Sequence, residues 1–128
     1  MPKRPSGILC GPMLKRMCTA KIAYATVTQS VLKYDGSMGI DSSILVASGI
    51  HPYEMVLIAN VTNGRRFETY TIPEPAGSGN FCLYGGAAHM GKVGDELIIM
   101  AYGYLDAAEL ARFTGPKVVK VGPHNKLL

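Results

Sequence analysis

The stretch Tyr34-Asp35-Gly36-Ser37-Met38-Gly39-Ile40-Asp41 lies between two segments with β-strand patterning and decides how the rest of the chain is interpreted. A glycine followed by a serine is first of all a turn signal. The same pair can also break its own peptide bond, because glycine leaves its carbonyl carbon open to attack and tolerates unusual backbone angles. Ser37 would attack the Gly36 carbonyl and form an ester, and elimination followed by hydrolysis would leave Ser37 as a pyruvoyl group. The dipeptide is common, so the remaining residues must decide between a turn and a cleavage site.

The composition predicts one β-rich globular domain. A length of 128 residues corresponds to a single domain, and 48% hydrophobic with 17% charged residues supplies a core without the signature of disorder. Fifteen Gly, eight Pro and seven Tyr with no Trp favour short strands and tight turns. The net charge of +4 fits nucleic acid, a solvated surface or a pocket for an acidic substrate, and the basic residues are scattered along the chain.

The cysteine and histidine spacings predict neither a disulfide framework nor a metal site. Cys10, Cys18 and Cys82 are an odd number without a CxxC pair, and the three histidines are dispersed. The apolar runs are too short to span a bilayer, and no apolar stretch of signal-peptide length follows the basic start of the chain. A cytoplasmic protein without membrane contact is therefore expected.

Hydrophobic patterning predicts many short strands. Residues 1–12 are rich in Pro and Gly and are expected to be a flexible N-terminal extension of a single domain, residues 13–128. Alternation over residues 13–28 places Ile22 and Tyr24 on one face of a strand and Ala23 on the other. Further strands are predicted at 38–41 (a return strand after the Gly36-Ser37 turn), 55–61, 66–72, 81–84, 97–104 and 116–121.

Turn and cap signals complete a small closed β architecture with one or two short helices. Asp41 is a good N-cap for a helix over 42–47 that Gly49 would end, and Asp106 caps a second helix that extends to residue 113. Asn63-Gly64 predicts a hairpin with a type I′ turn. The continuous apolar runs at 55–61 and 97–104 indicate strands buried on both faces.

Four side chains are candidates for the chemistry that a ketone in the chain would perform. A pyruvoyl carbonyl can form a Schiff base with a substrate amine and accept electrons, and decarboxylation beside it requires cations and an acid. Lys21 and Arg66 are candidate cations, the arginine because its fork matches a carboxylate. Tyr70 is a candidate acid, and Thr69 could polarise the carbonyl of Gly36.

Each candidate also has a purely structural interpretation. Lys21 and Arg66 fit solvated surface charges, and Thr and Tyr are favoured in strands whatever the function. The turn Gly85-Gly86-Ala87 would let backbone N–H groups approach a ligand closely, but such turns are more often simple bends. From these residues alone, an enzyme and an unprocessed β-barrel binding module both stay open.

Longer motifs bear on the choice between an enzyme and a binding module. They are Met13-Leu14-Lys15 with Lys21-Ile22, Leu32-Lys33-Tyr34-Asp35-Gly36-Ser37 with Ile40-Asp41, the run 60–70, Gly85-Gly86-Ala87-Ala88-His89, Val93-Gly94-Asp95 and Pro116-Lys117-Val118-Val119. In their order and spacing the chain resembles the pyruvoyl-dependent L-aspartate 1-decarboxylases, which make β-alanine for pantothenate synthesis. The likeness runs from about Met13 to Leu127.

The resemblance implies a fold and an activity. The fold would be a double-psi β-barrel, assembled as a homotetramer with active sites between neighbouring subunits. Cleavage between Gly36 and Ser37 would give fragments of 36 and 92 residues. The pyruvoyl group made from Ser37 would be the cofactor, without a metal or pyridoxal phosphate, and L-aspartate the substrate. Nucleic acid and membrane are not expected as partners, and the need for a maturation factor stays open.

The resemblance also assigns roles to residues. Ser37 would carry the Schiff base and Tyr70 would donate the proton. Thr69 matches a position that contacts substrate and is needed for self-cleavage, and Gly85-Gly86-Ala87 matches further substrate-contact positions. Lys21 and Arg66 match the basic residues that bind carboxylate.

Three positions depart from the family pattern. Ala23 stands where a histidine is common, Tyr84 where an asparagine is common, and Gly86 where an alanine is usual. The loss of the histidine removes a polar pocket group, and Tyr84 adds bulk beside the cleavage turn. A related acidic amino acid therefore stays open as an alternative substrate.

Overall fold

The computed structural model describes residues 13–128, so the predicted extension at residues 1–12 lies outside the described residues. The strands are β1 (Lys15–Thr26), β2 (Gln29–Val31), β3 (Ser37–Asp41), β4 (Met55–Asn60), β5 (Arg66–Glu74), β6 (Phe81–Tyr84), β7 (Glu96–Leu105) and β8 (Lys117–Lys120). Two short helices, α1 (Ser42–Ser48) and α2 (Ala107–Arg112), and two 3-10 turns, Gly85–His89 and Pro123–Asn125, complete the fold. Across residues 13–128 there is no helix with the length and apolar character needed to cross a membrane.

The strands form one mixed sheet that closes on itself. Its order is β2-β6-β3-β5-β4-β7-β1-β8. β2 lies at one end and β1 next to the other, yet only Val27 and Thr28 separate these strands in the chain. Here the amide of Val27 donates to the carbonyl of Asp95 before β7, and that of Thr28 to the carbonyl of Phe81 in β6, both at 2.9 Å. The expected mainly β barrel with short helices is confirmed, and its crossing strand order fits a double-psi β-barrel.

Apolar side chains, most of them aliphatic, fill the barrel. Each fully buried one stabilises the fold by about 1.5–3 kcal/mol relative to exposure. The largest are Phe81, Ile22, Met38, Ile40, Ile44, Ile58, Leu83, Leu97 and Ile99.

The prediction that residues 55–61 and 97–104 are buried on both faces is wrong. In β7, Leu97, Ile99 and Ala101 are buried, whereas Ile98 and Met100 between them are partly exposed. The same alternation holds in β4. Because a strand in a barrel has one inner and one outer face, the apolar residues at the alternate positions form an outward apolar surface.

The alternation predicted for β1 breaks at a bulge. Ile22 and Ala23 are both buried, and the pairing with β7 shifts register between Ile22 and Ala25. Tyr24 takes the extra position with a φ of +64°, which is strained for a bulky residue, and its side chain is exposed. The extra residue turns Ala23 inward, so the prediction that Ile22 and Tyr24 share a face is wrong.

The hairpin between β4 and β5 is confirmed, but its predicted type I′ turn is wrong. Gly64 has a φ of +79°, whereas Asn63 does not have a positive φ. The side-chain oxygen of Asn60 accepts hydrogen bonds from the amides of Thr62 and Asn63, which holds the first part of the loop in a right-handed turn. Gly64 then supplies the left-handed position of a longer loop.

The strand after the Gly36-Ser37 turn is present, but it does not return along the strand before it. β3 pairs antiparallel with β6 and parallel with β5, and β2 lies on the other side of β6. The chain therefore crosses over β6 between β2 and β3. This crossing carries the Gly36-Ser37 bond past the 3-10 turn at Gly85–His89.

Asp41 caps α1 as predicted and also holds a loop that the sequence did not link to it. Its carboxylate accepts hydrogen bonds from the amide and hydroxyl of Ser43 at 2.9 and 2.6 Å, and from the amides of Gly77 and Gly79 at 3.0 and 2.8 Å. Burial opposes ionisation, but these donors prevail and lower the pKa of Asp41. The carboxylate thus stabilises the fold in its charged form.

We expect Asp41→Ala to cost about 2–4 kcal/mol of unfolding free energy, because it removes the cap of α1 and leaves the buried amide of Gly79 without its acceptor. Asp106→Ala, at the exposed cap of α2, should cost only about 1 kcal/mol. Both are compared by urea unfolding in a Ser37→Ala background, which keeps the chain uncut. Because folding lowers the pKa of Asp41, its contribution is present above the unfolded value near 3.8 and is lost as the pH falls. Equal losses for the two variants would contradict this account.

Candidate active site

The Gly36-Ser37 bond lies where the chain enters β3. Ser37 is the first residue of that strand, is 2% exposed, and pairs with Tyr84 of β6. The next residue, Met38, pairs with Thr71 of β5. Strands on both sides therefore fix the bond on its C-terminal side, whereas the residues before it form a bend without strand pairing.

A close backbone contact supports the N-terminal side. Gly85 has a φ of +65°, and a Cβ atom there would lie 2.7 Å from the carbonyl oxygen of Tyr34 and 2.8 Å from the Cα of Gly36. No L-residue with a side chain fits this position without a shift of the 34–36 segment. The sequence marked Gly85 as part of a small-residue turn, and the structure shows which backbone that turn approaches.

A cavity of about 280 Å³ adjoins this contact. Gly36, Thr69, Gly86 and Ala87 all line it, so the structure brings together four of the residues chosen from the sequence. Phe67 completes the same wall, because it is two residues before Thr69 on the same face of β5. The sequence analysis did not choose Phe67, although the period of two along β5 could have indicated it.

The side chains of Arg66 and Tyr70 point away from this cavity. Along β5 the exposed residues are Arg66, Glu68 and Tyr70, which alternate with Phe67 and Thr69. Tyr70 is 40% exposed and its ring stacks on that of Tyr53, with 6.2 Å between the ring centroids. The residue alternation of a strand thus separates Thr69 from Arg66 and Tyr70 within one chain.

Arg66 lines a second cavity, of about 570 Å³, on the outward face of the sheet. Arg16 lies there too, 3.6 Å from Glu68 in an exposed ion pair and 5.1 Å from the ring centroid of Tyr102. The two cavities share Glu68 and Phe67 as lining residues, so they adjoin along β5.

Lys21 is farther from the cleavage turn. It pairs with Met100 in β7, which pairs with Leu57 in β4, which pairs with Glu68 in β5. Three strand spacings separate Lys21 from β5, about 14 Å. Within one chain Lys21 therefore shares the outward face with Arg66 but does not reach the cavity beside Gly36.

This outward face is largely apolar. The residues along it are Met55, Leu57, Ile98, Met100 and Tyr102, with charged residues at its margin. Met55 is exposed and the other four are partly buried. A contiguous apolar surface of this kind is typical of a protein contact.

A buried pair of side chains, Asn60 and Asp95, fixes the residues that follow the Gly85–His89 turn. The side-chain amide of Asn60 donates to the carboxylate of Asp95 at 2.9 Å and to the carbonyl of Met90 at 3.1 Å. The bond from Asn60 and one from the amide of Lys92 lower the pKa of Asp95. These bonds join the loop after β4 to the residues that follow the turn.

All three departures from the family pattern now have a location, since Gly86 lines the cavity beside Gly36. Ala23 is buried at the β1 bulge and pairs with Lys120 of β8. Tyr84 adds bulk beside the cleavage turn as expected, and its ring lies over Gly39 and Tyr34. The phenol of Tyr84 donates a hydrogen bond to Glu74 at 3.0 Å. Glu74 was not chosen from the sequence, because nothing in the pattern after Pro73 indicates that β5 continues to it.

Comparison with known proteins identifies relatives of this chain. A family model described as aspartate decarboxylase matches residues 13–128. The chain is 48% identical over 116 residues to the aspartate 1-decarboxylase of Syntrophobacter fumaroxidans, covering 91% of this chain and 93% of that protein. It is 47% identical to that of Carboxydothermus hydrogenoformans, covering 91% of both chains, and 43% identical to that of Thermosipho africanus, covering 91% and 94%.

The contact at Gly85 can be tested with a matched pair of glycines. Gly85→Ala should lower the unfolding free energy by about 2–4 kcal/mol, because it adds left-handed strain and overlap with the 34–36 backbone. A Cβ at Gly86 meets nothing within 4 Å, so Gly86→Ala should change it by less than about 0.5 kcal/mol. Urea unfolding in the Ser37→Ala background measures both. Similar values for the two variants would argue against the close approach.

Proposed function

This chain belongs to the aspartate decarboxylase family, and from that membership we propose that it converts L-aspartate to β-alanine and carbon dioxide with a pyruvoyl group made from its own Ser37. The β-alanine would serve pantothenate synthesis. The single observation that carries the self-processing part is the contact of Gly85 with the backbone of residues 34–36. This contact holds the bond between Gly36 and Ser37 at the edge of a cavity lined by Thr69.

Self-cleavage uses atoms of the chain and one water molecule. The hydroxyl oxygen of Ser37 attacks the carbonyl carbon of Gly36, the C–N bond between them breaks, and an ester with a free amine forms. Loss of the Ser37 Cα proton and of the Gly36 carboxylate leaves a dehydroalanine, which water converts to the ketone with release of ammonia. Thr69, which lines the same cavity as Gly36, would donate a hydrogen bond to the Gly36 carbonyl as negative charge develops on it.

The residues at the site fit a pyruvoyl group. The group would begin β3, where pairing with Tyr84 would hold it, and the bare Cα of Gly86, which lines the same cavity as Gly36, leaves room beside it. It supplies a carbonyl that accepts a substrate amine and draws electrons from the bond to the departing carboxylate. The protein has to bind the second carboxylate, exclude water and return a proton.

Arg66 and Lys21 would bind carboxylate, and Tyr70 would donate the proton. Within one chain these side chains share the outward face of the sheet and do not line the cavity beside Gly36. We therefore propose a homotetramer in which a neighbouring subunit covers the apolar outward face and completes the site. The adjoining cavities along β5 and the exposed ring of Tyr70 support this arrangement.

Intact-mass analysis of the purified protein tests self-processing directly. We expect fragments of 36 and 92 residues, with the larger one beginning in a pyruvoyl group, and release of carbon dioxide from L-aspartate. Ser37→Ala should remain a single chain and be inactive. A wild-type chain that stays uncut after prolonged warming would contradict the proposal and favour a binding module. Faster turnover of glutamate or of methylated aspartates than of aspartate would overturn the assignment of L-aspartate as the substrate.

The role of Tyr70 can be separated from cleavage. Tyr70→Phe should be cut like the wild type but release carbon dioxide at least about 100-fold more slowly, because the ring stays and only the acid is lost. Tyr53→Phe is the control, since it alters the stacked neighbour. Its activity should stay within about threefold of the wild type. Equal activity of the two variants would remove Tyr70 from the chemistry.

A further inference from the structure

Tyr84 connects β6 to the segment that precedes the cleavage bond. Its ring stacks on that of Tyr34, with 4.4 Å between the centroids and 30° between the planes. Tyr84 is 7% exposed, whereas Tyr34 is 57% exposed and lies two residues before Gly36. The stack is therefore a side-chain contact between a fixed strand and the otherwise unpaired bend.

A carboxylate fixes the ring of Tyr84. The phenol donates a hydrogen bond of 3.0 Å to Oε2 of Glu74 at the end of β5, and Oε1 of Glu74 accepts a longer one from Asn80. The ring and the carboxylate lie over the bare Cα of Gly39. A Cβ there would be 2.5 Å from Oε2 of Glu74 and 2.9 Å from Cε2 of Tyr84.

The phenol keeps its proton in this place. Burial raises the pKa of Tyr84, and its contacts with Cys82 and Glu74 raise it further. Because the hydroxyl stays protonated at neutral pH, it acts as a lasting donor to Glu74. The ring orientation then depends on β3, β5 and β6 together.

We propose that Tyr84, locked by Glu74, is a positioning residue for self-cleavage. It holds the ring of Tyr34, and with it the 34–36 backbone, against Gly85 so that the Gly36 carbonyl stays within reach of the Ser37 hydroxyl. The proposal rests on the self-cleavage proposed above. It assigns to the bulky residue at position 84 a function in maturation, through contacts that an asparagine could not make in the same way.

The test measures the first-order rate of cleavage of freshly made precursor by intact mass. Tyr34→Ala should slow cleavage about tenfold, because the stack is lost. Tyr34→Phe should cleave at the wild-type rate, because the stack is kept. Leu32→Ala is the control, since Leu32 is equally exposed in the same segment and should not matter.

Variants that break the hydrogen bond between Tyr84 and Glu74 complete the series. Tyr84→Phe keeps the stack but loses the bond to Glu74, and Glu74→Ala removes the acceptor, so both should slow cleavage about threefold to tenfold. Tyr84→Phe and Glu74→Ala combined should be no slower than either alone, since they break the same bond. Turnover per cleaved chain should be unchanged in Tyr34→Ala, which separates positioning for maturation from decarboxylation.

The outcomes distinguish the two proposals. If the wild type never cleaves, self-processing fails and the positioning function fails with it. If the wild type cleaves and Tyr34→Ala cleaves equally fast, self-processing stands and the positioning proposal is overturned. A loss in Tyr34→Ala that Tyr34→Phe does not restore, or an equal loss in Leu32→Ala, also overturns it.

Discussion

The close approach of Gly85 to the backbone of residues 34–36 is the constraint on which the site depends. It occurs where the chain crosses over β6 between β2 and β3, just after the sheet closes at Val27 and Thr28. The fold thus brings a peptide bond into contact with a turn that begins with two glycines. Rigid strands on one side of the bond and a bend on the other leave it accessible to its own serine.

The strand β5 divides the chemistry between two surfaces. Its period of two turns Thr69 toward the cleavage bond and Arg66 with Tyr70 toward the outward apolar face. A single barrel can therefore prepare the bond for cleavage without assembling the residues for decarboxylation. In the proposed tetramer maturation and catalysis would depend on different sets of contacts, although both use the same strand.

Local signals in the sequence predicted local structure well. Asp41 and Asp106 are both N-caps, Gly49 ends α1, and the runs of residues 66–72 and 81–84 are strands, because each depends on neighbours in the chain. Features that depend on distant partners were not predictable in the same way. The bulge at Tyr24 is set by the pairing of β1 with β7, and the hold of Asp41 on the loop before β6 is set by packing across the barrel.

The residues of the candidate site also differ in whether the sequence could indicate them. Motif resemblance selected the Gly36-Ser37 bond and several residues near it, and the structure places Gly36, Thr69, Gly86 and Ala87 on one cavity. The Tyr34, Tyr84 and Glu74 cluster was missed because its members come from three separate strands or bends. The missing side chain of Gly39 explains how the ring of Tyr84 and the carboxylate of Glu74 can meet over β3.

Because β1 and β2 precede the Gly36-Ser37 bond, the proposed cleavage would change how the protein refolds after unfolding. The proposed 36-residue fragment would hold β1, which lies between β7 and β8, and β2, which pairs with β6, so the larger fragment would enclose it on several sides. The uncut chain folds in a reaction that is independent of concentration. Once cut, the same barrel could reform only by an encounter of two molecules, without the effective concentration that the linking bond provided. Under the proposed cleavage, refolding of the mature protein would therefore depend on its concentration, and its persistence would depend on the height of its unfolding barrier.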